Sequence, residues 1–145
     1  MRNIMTAIAI CAAGFTACGQ QPPSSANKTI KMQQRNNNTM DTNKLTDSIV
    51  KKAFDAWQKG DSQAFLSFFT TDAKLYDDGS PRDFQKFVKE ACGHERFTSI
   101  DKVENNGKDI YGNFHTDSWG DFRTYFKFHF NTEGKISRLV IGQAD

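Results

Sequence analysis

Cysteine is scarce: the 145 residues hold three, Cys11, Cys18 and Cys92, and only Cys92 falls in the aromatic-rich part of the chain. A framework of disulfides inside that part is thereby excluded. Long apolar runs are lacking too. The one candidate, residues 4–17, is too short to span a bilayer as a stable anchor. An excess of positive charge is lacking: residues 41–145 carry all seventeen acidic residues and fifteen of the nineteen basic ones, a net −2. That balance gives no electrostatic footprint for nucleic acid. The formal +2 of the whole chain comes from Arg2, Lys28, Lys31 and Arg35. There is no phosphate-cradling glycine loop, no serine nucleophile elbow and no Cys–His pair with supporting spacing. His94-Glu95 is not a zinc motif, because position 98 is Thr and not a second His. Neither a metal nor a cofactor is expected.

What is present begins with an address. Met1-Arg2-Asn3 is a short positive start, and residues 4–17 form an apolar core of secretory-signal length. It ends in Phe15-Thr16-Ala17-Cys18-Gly19, which resembles the bacterial lipobox, with Phe15 in place of the usual Leu. The resemblance implies cleavage after residue 17 and a diacylglycerol on Cys18. An ordinary signal peptide cut at small residues is the alternative. Gly19 lacks the Asp that often retains such proteins at the inner membrane, so the outer membrane of a Gram-negative envelope is expected. Residues 18–42 are rich in Gln, Asn, Ser, Thr and Lys with a Pro pair. Such a segment cannot bury enough surface to offset its ordering entropy and reads as a flexible tether.

Residues 43–145 hold seventeen of the eighteen Phe, Tyr and Trp residues, enough apolar bulk for one core. Leu45, Ile49, Val50, Ala53, Phe54 and Trp57 recur at helical steps, and Gly60 ends that helix. Asp61 caps a second, short helix with Ala64, Phe65, Phe68 and Phe69 on one side. Residues 73–77 read as a strand closed by Asp78-Gly79. Ser80-Pro81-Arg82-Asp83 reads as a third helix start, with Ser at the N-cap and Pro at the first position. Phe84, Phe87, Val88 and Ala91 continue it.

From there the period becomes two. Strands are expected over residues 97–105, 108–118, 122–131 and 135–143, with turns at Asn106-Gly107, Trp119-Gly120 and Thr132-Glu133-Gly134. Thr124, Phe126, Phe128 and Phe130 share one face of the third of these; Arg123, Tyr125, Lys127 and His129 share the other. Helices followed by antiparallel strands imply an α+β layer, a curved sheet with helices on one side. Cys92 reads as a buried small hydrophobe near a helix end, not a nucleophile, since nothing nearby depresses its pKa.

Trp57-Gln58-Lys59-Gly60-Asp61, then Phe68-Phe69-Thr70-Thr71-Asp72-Ala73-Lys74-Leu75-Tyr76-Asp77, and Asn131-Thr132-Glu133-Gly134-Lys135-Ile136 are similar to patterns in the nuclear-transport-factor-2-like superfamily, with its SnoaL-like and ketosteroid-isomerase-like branches. The resemblance spans residues 43–143. It implies a cone, a mixed, mainly antiparallel sheet wrapped around helices, with a deep apolar pocket and often a homodimer. It does not fix function, because this fold hosts isomerases, cyclases, binders and interaction modules.

Ungapped counting places Asp77 at the general base of the isomerase branch. It places Ala53 and Phe126 where that branch carries its two oxyanion donors. A base without those donors would forgo several kcal/mol, roughly, of transition-state stabilisation, so steroid isomerisation is not expected. Asp77 reads either as a base with a raised pKa among aromatic rings or as a solvated turn aspartate beside Asp78. His94 and Tyr76 are its candidate partners in proton transfer. Trp57, Phe54, Phe69, Phe87, Phe126 and Phe128 are the candidate pocket wall. With Phe114 facing in, His115 is a surface residue. Trp119 reads as a lid, a partner anchor, or a ring packed over the sheet end. The expected function is a tethered domain holding a small apolar or amphipathic ligand without catalysis. A lyase or isomerase using Asp77, or an interaction module using the Arg123–His129 face, are the alternatives.

Overall fold

A computed structural model of the chain describes residues 40–145. The expected signal, the lipidated Cys18 and the tether up to residue 39 lie outside the described residues. A single 3-10 turn, Thr42–Lys44, opens the domain. Lys44 Nζ donates to Ile100 O at 2.8 Å and Lys51 Nζ to Thr42 Oγ1 at 2.9 Å, which fastens this turn to the body.

Three helices follow, each started by an aspartate. Asp47 accepts the N–H groups of Ile49 and Val50 at the head of α1, Ser48–Gln58. Asp61 does the same for Ala64 in α2, Ser62–Ser67, and Asp83 for Lys86 in α3, Phe84–Ala91. Such caps satisfy donors that the helix cannot pair internally. Val50, Ala53, Phe54 and Trp57 of α1 are buried, as are Phe84, Phe87 and Val88 of α3.

The expected start of the third helix moves by three residues. Asp78 and Gly79 both adopt positive φ, 46° and 81°, the pair of conformations that a two-residue primed hairpin turn requires. Ser80–Arg82 therefore returns as strand β2, antiparallel to β1, Phe69–Asp77, with Pro81 opposite Tyr76. β2 is an edge strand, where a proline is tolerated. Strand β1 also starts earlier than expected: it takes Phe69 out of the second helix and pairs it with Ile136.

The remaining strands are β3 (Glu95–Phe97), β4 (Lys102–Glu104), β5 (Asp109–Thr116), β6 (Gly120–Phe130) and β7 (Ile136–Gln143). The order is β2-β1-β7-β6-β5-β3, with β4 also on β5. Among the described strands only β1 and β7 run parallel, the other strand pairings being antiparallel, and an isolated parallel bridge joins Cys92 to Glu95. Between β3 and β4 the chain crosses so close to Gly112 that a Cβ there would lie 1.9 Å from Ser99 O.

Alternation on β6 follows the expected parity, with Thr124, Phe126 and Phe128 buried and Arg123, Tyr125, Lys127 and His129 outward. A register shift after His129 leaves Phe130 half-buried. Phe114 is buried and His115 faces out. The helices fill the inner side of this mixed sheet through aromatic contacts. Phe54 meets Phe97 at 5.3 Å, Trp57 meets Phe126 at 5.5 Å, and Phe69 meets Phe84 at 4.7 Å between ring centroids. Burying each such ring contributes roughly 1.5–3 kcal/mol.

Candidate functional site

The helices do not fill the sheet to its end. A cavity of about 360 Å³ remains where β1, β2, α3, β3 and the β5–β6 turn converge. Phe87, Phe114, Phe122, Phe126 and Ile141 supply its apolar wall. Trp119, in the turn between β5 and β6, stands at the mouth with 83% of its surface exposed. It is a free aromatic edge beside an opening and does not pack over the sheet end.

Two charged elements share this space. Asp77 ends β1 on the same face as buried Leu75, and the hairpin register puts Arg82 opposite Leu75 on that face. Arg82 Nη1 donates to Asp77 Oδ2 at 2.5 Å while its guanidinium lies 5.1 Å from the Phe87 ring centroid. Both side chains retain solvent contact, so the pair adds little to stability. Its larger effect is to fix where the Asp77 carboxylate points.

The second element is Glu95, the first residue of β3, inward like buried Phe97 two positions on. Its carboxylate has no hydrogen-bond partner among the described residues. Burial raises its pKa; Arg82 and His94 oppose that rise, and Asp77 and Asp117 add to it. Glu95 thus holds a proton to a higher pH than an ordinary carboxylate. Nearby, Thr124 Oγ1 donates to Gly142 O at 2.7 Å, and Thr116 Oγ1 accepts the Trp119 N–H at 2.8 Å. The proton of the Thr116 hydroxyl has no acceptor among the described residues, leaving a donor on a buried part of the wall.

No family model and no curated protein matches the sequence. Solved structures do. A putative ketosteroid isomerase from Kribbella flavida superposes with a TM-score of 0.55 at 14% identity, over 73% of this chain and 82% of that one. A SnoaL-like protein of unknown function from Burkholderia thailandensis gives 0.52 at 13%, over 70% and 98%. The domain has the nuclear-transport-factor-2-like fold. The orange carotenoid protein of Anabaena, in a structure binding canthaxanthin, matches with a TM-score of 0.52 at 18% identity over 65% of this chain. This chain spans about a third of that protein's length, 34%.

Within this nuclear-transport-factor-2-like cone the expected site residues divide. Asp77, Phe87 and Phe126 stand on the cavity wall. Phe54, Trp57, Phe69 and Phe128 do not; they are packed core. Trp57 is the reason, because it stacks on Phe87 at 5.9 Å and meets Phe126 edge-on, so α1 occupies the inner cone and confines the cavity to its mouth. Tyr76 lies on the opposite strand face from Leu75 and Asp77, as alternation demands, and leaves the cavity. His94 is exposed in the turn after α3, with Nδ1 3.0 Å from Asp117 Oδ2, and it does not line the cavity. It reaches the site only through the field it exerts on Glu95. Ala53 is buried in α1.

Cys92 is buried, and desolvation together with Asp61 pushes its thiol up to about 11, which keeps it protonated and inert. Among the described residues, no three His, Cys, Asp or Glu side chains converge as metal ligands. Wall residues that were not among the expected site residues include Arg82, Glu95, Phe114, Thr116, Phe122 and Ile141. Asp78-Gly79 read as a primed hairpin would have placed Arg82 beside Asp77.

Proposed function

We propose that the chain is an exported lipoprotein, held by lipid on Cys18 to the cell envelope at the outer membrane, whose domain binds a small apolar or amphipathic molecule without transforming it. The cavity carries this reading: an aromatic wall with one polar side, of a size within the range of small-molecule sites. The rings take the apolar body of the ligand. Glu95 and the Thr116 hydroxyl take its polar end, which favours a hydroxyl or amine there. The Asp77 carboxylate is already engaged by Arg82, and Phe126 supplies a ring where the isomerase branch needs an acid. Both features argue for holding over chemistry. The canthaxanthin-binding relative of the same fold adds weight.

The test uses the full chain with Cys18→Ser, purified from the soluble fraction. Native mass spectrometry after exposure to envelope lipid extract should retain a small adduct, and apolar compounds should raise the melting temperature. If no adduct and no thermal shift is found across a broad apolar library, the binding reading fails. The same variant should leave the membrane fraction; continued sedimentation with membranes defeats the anchor separately.

Glu95 supports a second reading, a SnoaL-like lyase or isomerase. An unpartnered carboxylate with a raised pKa in a cavity can accept and return a proton, with Asp77 positioned beside it. Under this reading Glu95→Gln or Asp77→Asn abolishes turnover of a bound ligand while leaving its affinity. Unchanged product formation in both variants removes it. A homodimer through the outward sheet face belongs with these proposals, and light scattering at high concentration tests it.

A further inference from the structure

The outward side of the sheet carries a second concavity, of about 380 Å³, beside the register shift between β6 and β7. Its polar lining includes Lys108, His129, Ser137 and Arg138, and no carboxylate borders it. His129 and Arg138 are direct cross-strand partners, an arrangement that costs stability once both are charged. Neither Lys108 nor Arg138 forms a salt bridge among the described residues, although eight such contacts occur elsewhere on the domain. Lys108 Nζ is held instead over the Phe130 ring, 5.1 Å from its centroid. The bulge is what gathers these groups: Arg138 pairs with His129 but Ile136 pairs with Phe130, so Ser137 is the extra residue and lines the floor.

We infer that this pocket is an anion site that takes a phosphate group between Lys108, His129 and Arg138. Arg138 offers the forked donor geometry suited to phosphate, and Lys108 supplies a point charge. The charged groups whose field reaches His129 are consistent with an unmet positive potential. Burial lowers the His129 pKa, Arg138 and Lys127 lower it further, and Asp109 alone opposes them. An occupying phosphate reverses that balance. The site is independent of the inward cavity, so the two readings stand or fall apart. A free phosphate compound and a phospholipid headgroup share this chemistry.

The chain has three histidines, so each can be followed by NMR in the full-length Cys18→Ser protein. Titration with inorganic phosphate should raise the His129 pKa saturably and leave His94 and His115 in place. Sodium chloride at equal ionic strength should not reproduce the effect. Arg138→Gln and Lys108→Gln should each weaken phosphate on the order of tenfold or more, with the melting temperature of each variant checked against the parent. If inorganic phosphate is silent, flotation with phosphatidylglycerol vesicles should succeed where phosphatidylcholine vesicles fail, and Arg138→Gln should lose it; this result assigns the headgroup source. The site is overturned if neither probe binds or if both variants bind as the parent does. It is equally overturned if Arg138→Gln changes only the sedimentation coefficient, which makes the face a contact between two copies.

Discussion

Phe126→Ala is the most informative single change. The ring is 2% exposed and touches Trp57, Phe97 and Phe114 at centroid distances of 5.5, 5.0 and 5.6 Å. Removing it empties roughly 100 Å³, for which the void alone costs about 2.4 kcal/mol, before the lost transfer energy. One side of that void opens into the cavity already present, so solvent relieves part of it. A total near 3–4 kcal/mol follows, in the lower part of the range seen for buried aromatic truncations. A small domain has roughly 5–15 kcal/mol to lose, and the melting temperature should fall by about 15–25 °C. Phe128→Ala is the control. That ring is equally buried, at 1%, but stands off the cavity wall. Urea denaturation followed by circular dichroism should find similar losses for both variants. Binding of an apolar fluorescent probe to the folded protein should change only for Phe126→Ala. A Phe126→Ala cost below about 1 kcal/mol refutes the packing argument. A change in probe affinity as large for Phe128→Ala refutes the assignment of the wall.

Glu95→Gln carries a pH signature. Folded Glu95 binds its proton more tightly than the unfolded chain does, so its contribution is full in acid and is lost as pH rises through the folded value. The variant should therefore melt higher than the parent at pH 7, with the gap closing below the ordinary carboxylate range. Cys92, with its thiol near 11 and its side chain buried, should resist a disulfide reagent at pH 8 in the native protein and react at once in denaturant. Gly112→Ala should cost about 3 kcal/mol by overpacking, because its Cβ would strike the Ser99 carbonyl; Gly79→Ala meets no neighbour and tests φ strain alone, by the same denaturation assay.

Much of this architecture is written in local pattern. The Asp61 cap, the period-two parity of β6 and the inward Phe114 all follow from residue spacing, because each depends on neighbours within a few positions. Ser80-Pro81 misleads for a definable reason: it satisfies helix-start rules, yet Asp78-Gly79 imposes a turn whose geometry demands a returning strand. Phe69 is similar, since its assignment depends on Ile136, 67 residues away in sequence. The site was harder to read. Phe126 and Phe128 share a face, yet only Phe126 reaches the cavity, while Phe128 packs against Phe69. Glu95 gains its character from burial, against the opposing charge of Arg82, and periodicity reveals neither.

The parallel pairing of β1 with β7 has a consequence for biogenesis. The first strand finds its central partner only when Ile136–Gln143 has been made; until then β1 has β2 alone, and a lone two-stranded hairpin is marginal at best. Non-local pairing of this kind also folds slowly. Under the export proposed above, that delay would keep the chain threadable through a translocation channel. The sheet cannot close around β1 until β7 has been made.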